Sequence, residues 1–240
     1  MSDSDLLLEI CVDCLESIRN AIDGGAGRLE LCSALSEGGL TPSTGLAKIA
    51  KRISSIPIFA MIRIRGGDFV YDPDELDAML HDVEALKNLG INGFVFGALT
   101  STSEIDIESC RKIIAAAKPL PVTFHRAFDD AINPYEAFDE IRNLGFSRLL
   151  TSGQEKRVDE GVDLIAKLVK LSNNEVIVMP GAGLNENNIS SVRNKTGAEE
   201  FHGSAKKIKA GKAKIAGDGG ATVTDPEIVR RMATILKKKL

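Results

Sequence analysis

Residues able to do acid–base and thiol chemistry recur in β-rich runs at two-residue spacing. Glu9 and Cys11 stand in the first run, Glu30 and Cys32 in the second. Side chains alternate across a strand, so each pair shares a face. The same parity aligns Met61, Arg63 and Arg65 in the third run, and Thr123 and His125 in the fifth. Turned inward, these faces bring two carboxylates, an arginine and a histidine into one cavity, beside two cysteines on neighbouring strands. A lone buried carboxylate costs several kcal/mol, so Glu9, Glu30 and Arg63 are expected to neutralise one another. In catalysis Glu9 or Glu30 would be general base, Arg63 would hold an anionic substrate, and His125 would act as acid–base or orienting group. A purely structural polar layer is the alternative.

Two glycine-containing segments suit anion binding. Gly181-Ala182-Gly183 follows the seventh run, and His202-Gly203-Ser204 ends the eighth. Small residues let backbone N–H groups approach a phosphate or carboxylate. Arg65, Arg126 and the Thr151-Ser152-Gly153 turn add donors, so the candidate anion set is Arg65, Arg126, Ser152, Gly181, Gly183, His202 and Ser204. The thiols offer a different chemistry. Two or three thiolates hold a soft ion such as Cu(I), and Cys32 with Cys11 or Cys14 is the pairing the strand order favours, with Met61 or Met179 to assist. Cys110 falls on a helix and reads as a packed small hydrophobe.

The elements that must position these groups follow from periodicity. Strands are expected at 6–11, 28–32, 58–63, 93–97, 121–125, 147–151, 176–180 and 199–203. Apolar residues at helical spacing lie between them, as in Leu76, Met79, Leu80, Val83, Leu86 and Leu89. Asp72-Pro73, Asn133-Pro134 and Asp225-Pro226 mark helix starts; Gly90, Gly145 and Gly197 mark ends. Alternating strands and helices imply parallel strands with right-handed crossovers. About eight such units favour one closed (β/α)8 barrel of the TIM type, a single domain over residues 1–240, above an open sheet. Leu6, Leu8, Ile10, Leu29 and Leu31 then face the helices. Cys-Val-Asp-Cys follows the first strand where a dinucleotide-binding fold needs glycines. A long loop rich in Lys, Gly and Ala spans 205–223.

Composition narrows the partners. The formal net charge is −4, with no basic footprint for nucleic acid, and Trp is absent, which disfavours base stacking. No apolar run is long enough to span a bilayer, and the acidic N-terminal lead does not read as a signal peptide. Four unevenly placed cysteines form no disulfide framework and imply a reducing, cytoplasmic setting.

The runs LEICVD, GAGRLELC, EGGLTPS, MIRIRGGDF, GFVFGALT, PVTFHRAFD, RLLTSG, VMPGAGL and EFHGSAK, in this order to about residue 207, together resemble the CutC family of copper homeostasis proteins. The resemblance implies a TIM-type barrel, a cytoplasmic location, a homo-oligomer and Cu(I) bound through cysteine. Cys11 and Cys32 match the family's recurring cysteines, with Cys32 the usual copper candidate. Glu9, Glu30, Arg63, Arg65, Asp68, His125, Arg126 and His202 match its other signature positions. Cys14 stands where a serine is usual, Ile64 replaces a proline, Ala182 a glycine, and Gly203 a Ser or Cys. Three functions stay in competition: a copper-binding protein without turnover, a barrel enzyme for a small phosphorylated or carboxylated substrate, and an oligomeric scaffold.

Overall fold

The computed structural model describes residues 6–208 and 222–237. Eight parallel strands form one sheet: β1 (Leu7–Val12), β2 (Arg28–Leu31), β3 (Ile58–Met61), β4 (Gly93–Phe96), β5 (Val122–Phe124), β6 (Arg148–Thr151), β7 (Ile177–Pro180) and β8 (Glu200–Gly203). Helices α1 (Leu15–Asp23), α2 (Thr44–Ile53), α3 (Pro73–Asn88), α4 (Ile107–Ala117), α5 (Pro134–Leu144), α6 (Val162–Ser172), α7 (Ile189–Thr196) and α8 (Pro226–Lys237) connect and follow them. The ladder runs from β7 down to β1 and on to β8, so the sheet curls until its ends meet. β7 and β8 close the barrel by packing, without a hydrogen-bonded ladder. Gly181 permits that closure, since a Cβ there would lie 2.5 Å from Leu150 Cδ1 and 3.3 Å from His202 Cβ. The fold is a (β/α)8 TIM barrel.

Helix starts are built as their sequences require. Asp72 accepts the Glu75 N–H at 2.8 Å while the Glu75 carboxylate accepts the Asp72 N–H at 3.1 Å, and Pro73 fills the first turn of α3. Asn133 caps α5, which ends at Gly145 with φ +89°. Asp72→Ala is expected to remove about 1 kcal/mol of stability, read as a lower urea midpoint with an unchanged slope. An unmoved midpoint would mean that water caps α3 equally well.

Alternation along the strands sorts the side chains as expected. Leu8, Ile10, Leu29 and Leu31 are buried against the helix layer, with Leu6 partly buried beside them. The opposite face puts Glu9, Arg28, Glu30, Cys32, Phe59, Met61, Thr123, His125 and His202 inside the barrel, all buried. No helix among the described residues is long and apolar enough to cross a membrane. The long segment expected at 205–223 begins and ends as an antiparallel pair, β9 (Lys206–Ile208) with β10 (Thr222–Thr224). Residues 209–221 of that segment, like 1–5 and 238–240 of the expected domain, lie outside the described residues.

Candidate functional site

The barrel floor is ionic. In the strand register Glu9 lies between Arg28 on β2 and His202 on β8. Arg28 Nε donates to Glu9 Oε2 at 2.5 Å, and its Nη2 donates to Glu200 Oε2 at 2.5 Å. Arg148 donates from Nε to the same Glu200 oxygen at 2.7 Å. The Phe59 ring lies 4.8 Å from the Arg28 guanidinium carbon and 5.2 Å from that of Arg148. Two guanidinium and two carboxylate charges thus cancel in a water-poor layer, where an unpaired charge would not be tolerated. Burial alone would raise the Glu9 carboxyl. Burial is the largest single influence, but the charges and hydrogen bonds of Arg28 and His202 together outweigh it and hold the group down to about 2.

His202 stands on this floor. Its Nδ1 lies 2.8 Å from Glu9 Oε1, and its Nε2 lies 3.8 Å from Glu30 Oε2. Burial opposes its positive charge, but the Glu30 carboxylate, the Cys11 sulfur and Glu9 together raise its pKa well above the ordinary histidine value. Burial raises Glu30 too, because Glu30 lacks the direct arginine contact that Glu9 enjoys. Cys11 pairs in register with Glu30. One ligand atom each from Cys11, Glu30 and His202 falls within 4.8 Å of the others, and all three residues are buried. Cys32 lies behind them among Phe59, Met61 and Val95, with its Sγ 3.6 Å from Glu30 Oε2. Burial, then the nearby Glu30 charge, raise the Cys32 thiol well above its ordinary value, so it keeps its proton.

Above this group opens a cavity of about 510 Å³, lined by Cys11, Glu30, Met61, Arg63, His125, Arg126, Gly183, His202, Ser204 and loop residues. Arg63 follows the end of β3. Its Nη1 and Nη2 donate to the carbonyls of Glu37 (2.9 Å) and Gly67 (2.8 Å), and its guanidinium carbon lies 4.7 Å from the Phe69 ring centre. His125 packs so closely on β4 that a Cβ at Gly97 would lie 2.6 Å from its Nδ1. That nitrogen accepts the Ala127 N–H at 3.2 Å. Burial first, then the Arg63 and Arg126 charges, lower the His125 pKa to about 3.

The expected neutralisation of Glu9 and Glu30 by Arg63 is not what forms. Arg28 sits opposite Glu9 in register and takes that place, whereas Arg63 enters where the strand has ended and turns to loop carbonyls. Arg28 and Glu200 are not among the residues expected at the site, although each shares inward parity with one that is, Glu30 and His202. Arg65 lies outside the cavity lining. It pairs with Asp68 at 3.0 Å and with Glu75, tying the loop after β3 to the start of α3. Ser152 is buried and bonded to Asp129 (2.9 Å) and the Glu155 carbonyl (2.5 Å), and Gly181 serves barrel closure, so neither lines the cavity. Arg126 lines it while paired with Asp129 at 2.8 Å. Cys14 is the N-cap of α1, its sulfur accepting the Ser17 N–H at 3.5 Å, and it lies apart from the Cys11–Glu30–His202 group. Cys110 is fully buried, as expected.

The CutC family model matches residues 6–207. The human copper homeostasis protein cutC homolog is 47% identical over 203 residues, covering 85% of this chain and 74% of that protein. A CutC family protein of Parabacteroides distasonis is 48% identical over 203 residues, 84% of each chain. A crystal structure of CutC from Streptococcus agalactiae superposes with a TM-score of 0.80 at 33% identity, covering 83% of this chain and 98% of that one. Phosphoribosylanthranilate isomerase from Thermotoga maritima, with a TM-score of 0.61 at 15% identity over 97% of this chain and 98% of that one, shares the fold alone.

Proposed function

The chain belongs to the CutC family, and from that premise we propose that its barrel mouth is a copper-handling site in the cytoplasm, with copper as cargo. The observation that carries the reading is the buried convergence of Cys11, His202 and Glu30, whose ligand atoms lie within 4.8 Å of one another. A thiolate with an imidazole is a soft donor set of the kind that selects Cu(I), and Glu30 keeps one buried oxygen without a hydrogen-bond partner. Glu9, 2.8 Å from Nδ1, fixes the His202 ring and would leave Nε2 to hold the ion, as carboxylates behind ligating histidines do. Cys32, the cysteine to which the family resemblance points, is the second thiolate of the proposal. An incoming cation supplies the positive charge that its buried position lacks. The free thiols of the described residues accord with a reducing compartment. The homo-oligomer implied by the resemblance is part of the same proposal and is checked by light scattering.

Thiol-protected protein titrated with Cu(I) against a competing chelator is expected to bind about one equivalent per chain. Cys11→Ser and His202→Asn are each expected to abolish that stoichiometric binding, while Cys14→Ser leaves it intact. Copper binding that survives Cys11→Ser would remove the basis of the proposal.

A further inference from the structure

A copper ion would fill only the floor of the mouth, and the rest of the cavity has room for something larger. Its volume of about 510 Å³ lies within the range of small-molecule sites. Three buried polar atoms of its lining residues have no hydrogen-bond partner: Arg63 Nε, His125 Nε2 and Glu30 Oε1. Buried polar groups are normally satisfied, so three orphans among the lining residues of one cavity mark this end of the barrel as short of partners. The first two are donors. Arg63 carries hydrogen on Nε at every accessible pH, and because His125 Nδ1 accepts the Ala127 N–H, the hydrogen of the neutral ring sits on Nε2. The third belongs to the Glu30 carboxyl, whose other oxygen lies 3.8 Å from His202 Nε2.

The charges point the same way. Arg63 is 6% exposed, yet its Nη atoms donate to two carbonyls with the Tyr71 hydroxyl close by, and no carboxylate among the described residues forms an ion pair with it. A buried guanidinium without a counter-charge is costly, and an anion from solution relieves that cost. The Arg63 charge also depresses His125, so the two donors act on the same region.

We propose that the barrel mouth binds a small organic anion, its carboxylate or phosphate group against Arg63 and His125 and its far end over Cys11 and Glu30. The proposal does not rest on copper handling, although the two sites share Cys11 and Glu30. The ligand class is a small acid or phosphate ester bearing a hydroxyl, since Glu30 Oε1 needs a donor.

Iodoacetate, a small carboxylate with an electrophilic carbon, tests the placement directly, with neutral iodoacetamide as its control. In either reaction a sulfur–carbon bond forms at Cys11, the carbon–iodine bond breaks, iodide leaves, and the thiol proton passes to the buffer. Rates are followed at each cysteine by peptide mass spectrometry, with partly exposed Cys14 as an internal reference. The iodoacetate-to-iodoacetamide rate ratio is expected to be at least about tenfold higher at Cys11 than at Cys14, matching one charge-assisted contact. Arg63→Met should bring the Cys11 ratio down to that of Cys14. Arg65→Gln, the same charge change outside the cavity, should leave it unaltered. Where Arg63→Met does not fold, Arg63→Lys and His125→Gln must each lower the ratio. Inorganic phosphate and acetate are then tested as protecting ions: protection by phosphate alone assigns a phosphoryl ligand, and protection by acetate alone a carboxylate. Equal ratios at the two cysteines, no reaction at Cys11, a high ratio that survives these substitutions, or protection by neither ion overturns the proposal. The chelator titration of copper reads a separate quantity, so either proposal can fail while the other stands.

Discussion

Arg28→Met is expected to destabilise the barrel by about 3–5 kcal/mol, a large part of the roughly 5–15 kcal/mol that holds a domain of this kind together. The substitution is close in volume and leaves the hydrophobic layer filled. What it removes is the counter-charge of two carboxylates, Glu9 and Glu200, each 2.5 Å from a guanidinium nitrogen. Glu200 keeps Arg148 at 2.7 Å, but Glu9 is left with His202 alone. Lysine is no remedy, because one ammonium cannot place two donors in the planar fork that reaches both acids. Urea unfolding at neutral pH measures the effect. Arg28→Met combined with Glu9→Gln should recover much of the loss, since it deletes the stranded charge as well as its partner. Glu9 adds an acid-side signature. Its pKa, lowered to about 2 from 4.5, contributes stability that is complete above pH 4.5 and lost as pH falls through about 2. Glu9→Gln removes that decline. A loss below about 1 kcal/mol for Arg28→Met would mean that water reaches the floor.

How far the sequence discloses this site depends on what each residue leans on. Strand positions and helix caps rest on local rules, such as the Asp72–Glu75 capping box and the left-handed turn at Gly145, and these are legible. Inward parity is legible for the same reason, and it brings Glu30, Arg63, His125 and His202 to one cavity. Partner choice is not local. Which acid Arg28 meets is decided by the stagger of β1, β2 and β8, which periodicity does not reveal. Parity also fails past a strand end. β3 stops at Met61, so alternation still serves Arg63 but turns Arg65 out to the start of α3. Cys14 shows a third limit, because spacing cannot distinguish a ligand thiol from one that caps a helix.

The two buried histidines should bend the stability profile in opposite directions, and single substitutions separate them. His125 is neutral in the fold, with its pKa lowered from 6.5 to about 3, chiefly by burial and then by Arg63 and Arg126. The unfolded chain takes up a proton below pH 6.5 that the folded chain refuses until about pH 3, so this group removes stability as pH falls. The loss approaches about 5 kcal/mol over the full interval and is about 2 kcal/mol by pH ~5. Glu30, with a raised pKa, contributes with the opposite sign, so the informative quantity is the difference between wild type and variant rather than the wild-type slope. Glutamine at 125 retains an acceptor for the Ala127 N–H. Relative to wild type, His125→Gln is therefore expected to gain about 2 kcal/mol between pH ~6.5 and ~5 in urea unfolding. His202 is raised instead, so its stabilisation is complete below pH 6.5 and lost as pH rises through its folded value. His202→Gln should close on wild type only on that alkaline side. If the His125→Gln difference is flat with pH, the imidazole is exchanging its proton with water in the mouth. The neutral Nε2–H that this profile requires is the same buried donor that has no hydrogen-bond partner.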